Sequence, residues 1–207
     1  MKPIDLPTLL SIVSERGKAG RSITAIAGPP GAGKSTLAED LAEALNQQEP
    51  GSAAVFPMDG YHYDDMVLVP RGLRPRKGAP ETFDVSGFGH MLARLKQNNE
   101  PEIAVPVFDR AIEIARAGAR MIPQTVRHLV VEGNYILLNK GDWRALHQHY
   151  DTTVLIDVPE DELRRRLTDR WKDLDPEAFA YKMDVNDLPN GRLVKTESMQ
   201  PEFVFRQ

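Results

Sequence analysis

The strongest constraint on what this chain can fold into is one octapeptide, Gly28-Pro29-Pro30-Gly31-Ala32-Gly33-Lys34-Ser35. Gly28, Gly33, Lys34 and Ser35 satisfy the pattern G-x-x-x-x-G-K-S/T, and Gly31 adds a glycine inside the loop. Where no β-carbon obstructs the approach, backbone N–H groups can converge on phosphate oxygens, and a helix opening at Lys34 adds the positive end of its dipole. Such a loop needs a strand before it and a helix after it. Ser22 to Ala27 is a short, mostly apolar run, and Leu37, Leu41 and Leu45 mark one helical face. The motif predicts nucleotide binding by Gly28, Pro29, Pro30, Gly31, Ala32, Gly33, Lys34, Ser35 and Thr36. Lys34 reaches the β- and γ-phosphates, Ser35 holds Mg²⁺, and Thr36 is placed to reach the α-phosphate.

The rest of the chain alternates in the same way. Leu6, Leu9, Leu10 and Val13 recur at helical spacing before Gly17 and predict an opening amphipathic helix. A second strand, Ala53 to Met58, ends at Asp59, and the stretch from Tyr61 to about Gly87, rich in Pro, Gly and Arg, predicts a long functional or disordered loop. Met91, Leu92 and Leu95 suggest a helix. Residues 103–108 and 111–115, broken at Asp109-Arg110, look like an extended segment or hairpin, continued by 120–122. Leu129-Val130-Val131, ending at Glu132-Gly133, reads as a strand buried on both faces, and 154–158 as another. Glu160, Asp161 and Glu162 suit the first turn of a helix that buries Leu163 and Leu167. Asn186 to Gly191 predicts a turn-rich loop before the strand-like Phe203-Val204-Phe205. The alternation predicts an α/β fold, a three-layer open sheet of mainly parallel strands with flanking helices, with ligands at its carboxyl edge.

At 207 residues and 41% apolar content the chain suits one well-filled core, so a single domain over 1–207 is expected. The 26 basic and 30 acidic residues give a net charge of −4 without an extended run of one sign, which argues against a nucleic-acid surface by bulk charge. Cysteine is absent, which removes thiol and disulfide chemistry. The opening residues lack the apolar stretch of a secretory signal, and no run approaches the roughly 20 apolar residues of a membrane span. The expectation is a cytoplasmic protein with a small-molecule partner and neither nucleic acid nor membrane.

Three further groups carry chemistry. Asp59, at the end of the second strand, is placed either to accept a proton from a substrate hydroxyl or to cap the turn at Gly60. Glu132 is placed either to orient Mg²⁺, as a Walker-B-type carboxylate does, or to bond loop N–H groups. Arg166 and Arg170, four apart with Arg165 adjoining, form either a clamp for transferring phosphoryl oxygens or a solvated stripe. Basic residues at 71, 74, 76 and 77 would suit an anionic acceptor, or simply a solvated loop. A rival reading is a nucleotide-dependent switch: Asp84-Val85-Ser86-Gly87 fits D-x-x-G and Asn139-Lys140-Gly141-Asp142 fits N-K-x-D. In a GTPase each string belongs to its own strand, and here neither follows an apolar run of its own.

The chain resembles the uridine kinase, phosphoribulokinase and pantothenate kinase group of P-loop kinases over nearly its whole length. The residues that carry the resemblance are Gly28 to Ser35, Met58-Asp59-Gly60-Tyr61-His62, residues 76–84 (RKGAPETFD), Val105 to Asp109, Val130 to Gly133, Arg165-Arg166 with Arg170, and Asn186 to Asn190. Within that group it is most similar to a bacterial branch labelled as fructose-transport-system kinases or as nucleoside/nucleotide kinase-like proteins. The resemblance implies the P-loop NTPase kinase fold, ATP as donor, Mg²⁺ as cofactor and a primary hydroxyl as acceptor. It implies Asp59 as base and Glu132 as the metal-side carboxylate, with Lys34, Arg166 and Arg170 at the transferred phosphoryl group. It makes residues 160–175 an arginine lid, sets Asn186, Pro189 and Asn190 near adenine, and gives residues 59–87 to the acceptor, with Tyr61, His62, Arg76, Lys77 and Asp84 as contacts. The uridine kinase pattern has Asp-Ser-Phe-Tyr where this chain has Asp59-Gly60-Tyr61-His62. The Asp-Gly and Lys-Gly-x-Pro-Glu strings are closer to pantothenate kinase.

Overall fold

The computed structural model describes residues 2–206. In chain order the elements are β1 (Lys2–Ile4), α1 (Leu6–Arg16), β2 (Ser22–Ala27), α2 (Lys34–Gln48), β3 (Ala53–Pro57), α3 (Asp65–Leu68), α4 (Val85–Gln97), β4 (Glu102–Asp109), β5 (Ile114–Pro123), β6 (His128–Gly133), β7 (Thr152–Asp157), α5 (Glu160–Trp171), α6 (Pro176–Ala180), α7 (Leu188–Glu197) and β8 (Phe203–Arg206). A π-helical stretch, Tyr181–Asp187, joins α6 to α7. Six strands form one parallel sheet in the order β1-β8-β7-β2-β6-β3, and β4 and β5 form a separate antiparallel hairpin.

The central strands read as unbroken apolar runs because both faces of the sheet are covered. Every residue of β2 and β6 is buried. Alternate residues face opposite layers. Ile23, Ala25, Leu129 and Val131 pack with Phe88 and Leu92 of α4 and with Ile103 and Ile122 of the hairpin. Ile26, Val130 and Val154 pack with Leu9 and Val13 of α1, Leu37 and Leu41 of α2 and Leu163 of α5. The expected three-layer α/β sheet is present.

Register fixes the ligand edge. Ile26 of β2 and Pro57 of β3 both lie level with Glu132 of β6. The segments that leave these three strands therefore start side by side: the glycine-rich loop after β2, the turn Met58–Tyr61 after β3, and Glu132-Gly133 itself.

Three expectations are corrected. The segment 61–87 is interrupted by α3 and by short 3₁₀ turns at 74–76 and 80–82, and α4 begins at Val85, because the Asp84 carboxylate caps it by accepting the Gly87 N–H at 2.9 Å. Residues 186–191 are helical, not a turn-rich loop. Pro189 sits at the start of α7, directly after the π-helical stretch, and Asn190 Nδ2 donates to Asn186 Oδ1 at 2.7 Å. The chain also opens on a strand, β1, which adds to the sheet beside β8.

Candidate functional site

The glycine-rich loop adopts the conformation its composition allows. Gly31 and Gly33 hold φ values of 78° and 83°, a region unfavourable for residues with a β-carbon. A β-carbon on Gly31 would also stand 3.3 Å from Leu167 of α5, so that helix packs directly on the loop. One on Gly28 would meet the β-carbons of Ala32 and Ile156 at 3.2 Å. Lys34 folds back over the loop, its Nζ donating to the Pro29 carbonyl at 3.0 Å. Burial lowers its pKa, while Glu132 and Asp59 act in the opposite sense.

Ser35 Oγ, at the start of α2, donates to Glu132 Oε1 at 3.3 Å. Burial raises the pKa of Glu132, and Lys34 partly offsets this. These two hard oxygen donors beside a phosphate loop suit Mg²⁺, which keeps several ligands from water and phosphate and needs few from protein. The fit rests on the donor chemistry and on a buried carboxylate whose charge a cation would satisfy.

Asp59 occupies the short turn after β3, and its Oδ2 accepts from Arg110 Nη2 at 2.7 Å. His62 Nδ1 donates to the Asp59 carbonyl at 2.7 Å. The ring lies tilted against Phe83 and Phe108, with centroids at 4.0 and 4.5 Å. Burial lowers the pKa of His62 and so favours the neutral ring, whose Nε2 is then an acceptor. On the far wall Trp171 Nε1 donates to Asp187 Oδ2 at 2.8 Å, while Arg170 and Lys182 stand 4.8 and 5.3 Å from the indole centroid.

These groups share one cleft of about 360 Å³. It brings together Pro30, Gly31, Gly33, Lys34, Ser35, Thr36, Asp59, His62, Lys77, Glu132, Arg170 and Asn186 from the expected set, while Gly28, Pro29 and Ala32 of the loop lie outside the lining. Other expected residues lie outside its lining. Tyr61 packs edge-on against Phe56 and Phe88 in the core. Arg76 pairs with Glu81, and Asp84 is spent on capping α4. Arg166 sits over the loop, its Nε on Glu162 at 2.7 Å and its Nη1 3.4 Å from the Gly31 carbonyl. Pro189 is exposed, and Asn190 is buried and bonded to Asn186, which lines the cleft. Lys77 lines the cleft, but its ammonium is bonded to Asp65 and to the Glu113 carbonyl, both at 2.7 Å. The two GTPase-like strings contribute nothing to the lining.

Sequence reasoning missed Arg110, Asn134, Trp171, Lys182 and Asp187 as lining residues. Arg110 directly follows the Val-Pro-Val-Phe-Asp string, and Asp187 lies inside the Asn186 to Asn190 string, so adjacency to those strings was the available signal.

No protein-family model matches the chain. A Schizosaccharomyces pombe protein provisionally named a uridine kinase is 33% identical over 197 residues, covering 90% of this chain and 83% of that protein. The pantothenate kinase of Myxococcus xanthus is 31% identical over 165 residues, covering 76% of this chain but only 51% of its own length. Among solved structures, a Silicibacter protein provisionally named a fructose transport system kinase superposes with a TM-score of 0.88 at 41% identity. That match covers 97% of this chain and 98% of the other.

Proposed function

The chain belongs to the uridine kinase, phosphoribulokinase and pantothenate kinase group of P-loop kinases, and on that premise we propose that it transfers the γ-phosphoryl group of ATP to an alcohol group of a small metabolite. The observation that carries this reading is the convergence of Lys34, Ser35, Glu132 and Asp59 on one cleft at the carboxyl edge of β2, β6 and β3.

Loop N–H groups and the N-terminus of α2 hold the phosphates, and Lys34 meets the charge on the transferred group. Ser35 and Glu132 would hold Mg²⁺, which supplies charge neutralisation at the β- and γ-phosphate oxygens when bound. The acceptor oxygen forms a bond to the γ-phosphorus as the bond to the leaving oxygen of ADP breaks, and the hydroxyl proton passes to Asp59. Arg170 lines the same cleft beside Trp171 and would meet charge on the transferred group.

The test is ATP consumption over a panel of sugars, nucleosides, pantothenate-like acids and sugar phosphates, with wild type and Asp59→Asn. Acceptor-dependent turnover that collapses in the variant is the expected result. If no acceptor stimulates turnover, the kinase reading fails.

A further inference from the structure

Arg110 is the guanidinium that the acceptor side of the cleft presents. It lies in the turn between β4 and β5, its side chain is 60% exposed, and it holds the Asp59 carboxylate, itself 22% exposed. Arg170 and Lys34 line the same cleft from the side of α5 and the phosphate loop, whereas the basic residues of the stretch 71–77 are engaged elsewhere. Lys77 is 5% exposed and bonded to Asp65 and Glu113, and Arg74 pairs with the same two residues at 2.6 and 2.9 Å. Arg76 pairs with Glu81, and Arg71 stands 5.4 Å from the Tyr63 ring centroid. Lys77 and Arg74 thus bridge Asp65 and Glu113 and fasten α3 to the turn of the hairpin.

The Arg110 pair has a chemical consequence. Asp59 Oδ2 is occupied by the Arg110 guanidinium, so that oxygen is not open to an acceptor hydroxyl while the pair holds. A neutral polyol offers the displaced guanidinium nothing in return. A carboxylate or phosphate on the acceptor offers a two-pronged partner of the same kind as Asp59, so Arg110 can change partners at little cost. The His62, Phe83 and Phe108 rings form the apolar wall beside this exchange.

Resting on the kinase reading above, we propose that Arg110 selects an acceptor that carries an anionic oxyacid group as well as its hydroxyl, and that seating this group on Arg110 frees Asp59 to take the hydroxyl proton. Arg110 is thereby a specificity-determining residue, and the Asp59–Arg110 pair is the resting form of the acceptor site.

The experiment uses matched acceptors that differ in one group: erythritol, erythronate and erythritol 4-phosphate, then ribitol, ribonate and ribitol 5-phosphate. Steady-state kinetics are measured for wild type, Arg110→Gln and Arg110→Lys, and calorimetry follows acceptor binding to wild type and Asp59→Asn. One anionic series should turn over well above its neutral parent, and which series does so separates carboxylate from phosphate. Arg110→Gln should raise KM for the favoured acceptor about 10- to 100-fold, the worth of a charge-assisted contact, and erase the preference over the neutral parent. Arg110→Lys should restore part of that preference. Asp59→Asn should bind the same acceptor more tightly than wild type, because Arg110 has lost its competing partner, an effect that a merely structural arginine would not produce. Equal or better turnover of the neutral parents leaves the kinase reading standing and overturns the inference alone. An unchanged preference in Arg110→Gln, or no tightening in Asp59→Asn, also overturns it. Lack of turnover with every acceptor removes the kinase reading, and the inference with it.

Discussion

Ser35 Oγ donates to the Glu132 carboxylate at 3.3 Å, joining the first turn of α2 to the end of β6 across 97 residues of sequence. Parallel pairing of β2 with β6 creates the contact, since both strands deliver their ends to the same edge. The pair is the chain's own oxygen-donor set beside the phosphate loop, and its charge state follows from burial.

Burial raises the pKa of Glu132 above that of an exposed glutamate, so the ionised form that a cation needs is lost at a higher pH than usual as pH falls. Mg²⁺-dependent nucleotide affinity should therefore weaken on acidification through that raised value. In Glu132→Gln it should be weak at every pH. Fluorescent-nucleotide titration with and without Mg²⁺ from pH 8 to pH 5 checks this. A flat wild-type profile would contradict it.

Lys34→Ala should lower turnover by about 10²- to 10³-fold, the scale of losing one group that stabilises transferred charge. Its unfolding midpoint should move far less, because the ammonium bonds only a loop carbonyl and burial already disfavours its charge. Kinetics and urea denaturation on the same preparation separate the two effects. Unchanged turnover would count against the loop as the reaction site.

Asp59→Asn should cost about 10²- to 10⁴-fold in kcat, the usual range for a positioned base. Nucleotide affinity, measured by titration, should change little, because the loop and α2 supply that binding. Acceptor-dependent turnover that persists undiminished would remove the base assignment and leave the kinase reading in place.

Gly60→Ala tests how the acceptor side is assembled. A β-carbon there would stand 2.5 Å from the Pro106 carbonyl oxygen on β4, and neither backbone can yield without moving the hairpin that carries Arg110. A loss of about 1 to 3 kcal/mol in stability is expected, with a raised KM for the acceptor. Wild-type values for both would mean the hairpin shifts freely.

His62, His128, His147 and His149 all have pKa values lowered by burial. Their native values lie below the ordinary 6.5, so the unfolded chain takes up protons first, and their share of stability is lost as pH falls from about 6.5. Glu132 and Asp187, raised by burial, act in the opposite sense. The His128 contribution is isolated by comparing wild type with His128→Gln at pH 7.5 and pH 5.5. Its buried Nδ1 has no hydrogen-bond partner, so the acid-induced loss should be smaller in the variant. Equal losses would refute this.

The sequence alone determined the phosphate loop and the layered parallel sheet, because both are local in origin. Glycines at positions 31 and 33 meet a backbone requirement within the loop itself, and the mostly apolar runs 22–27 and 129–131 require burial on both faces wherever they lie. The positions of Asp59 and Glu132 followed, since a residue at a strand end needs only the strand to place it. Tertiary structure decided the acceptor side. Arg110 reaches Asp59 across 51 residues, and Lys77 and Arg74 are tied to Glu113 across 36 and 39. Tyr61 turns into the core, and residues 186–191 are helical, with Asp187 held by Trp171. Periodicity reports which face of an element is apolar. It carries no information on which distant charge a side chain will meet, because that depends on how the hairpin packs against the sheet edge.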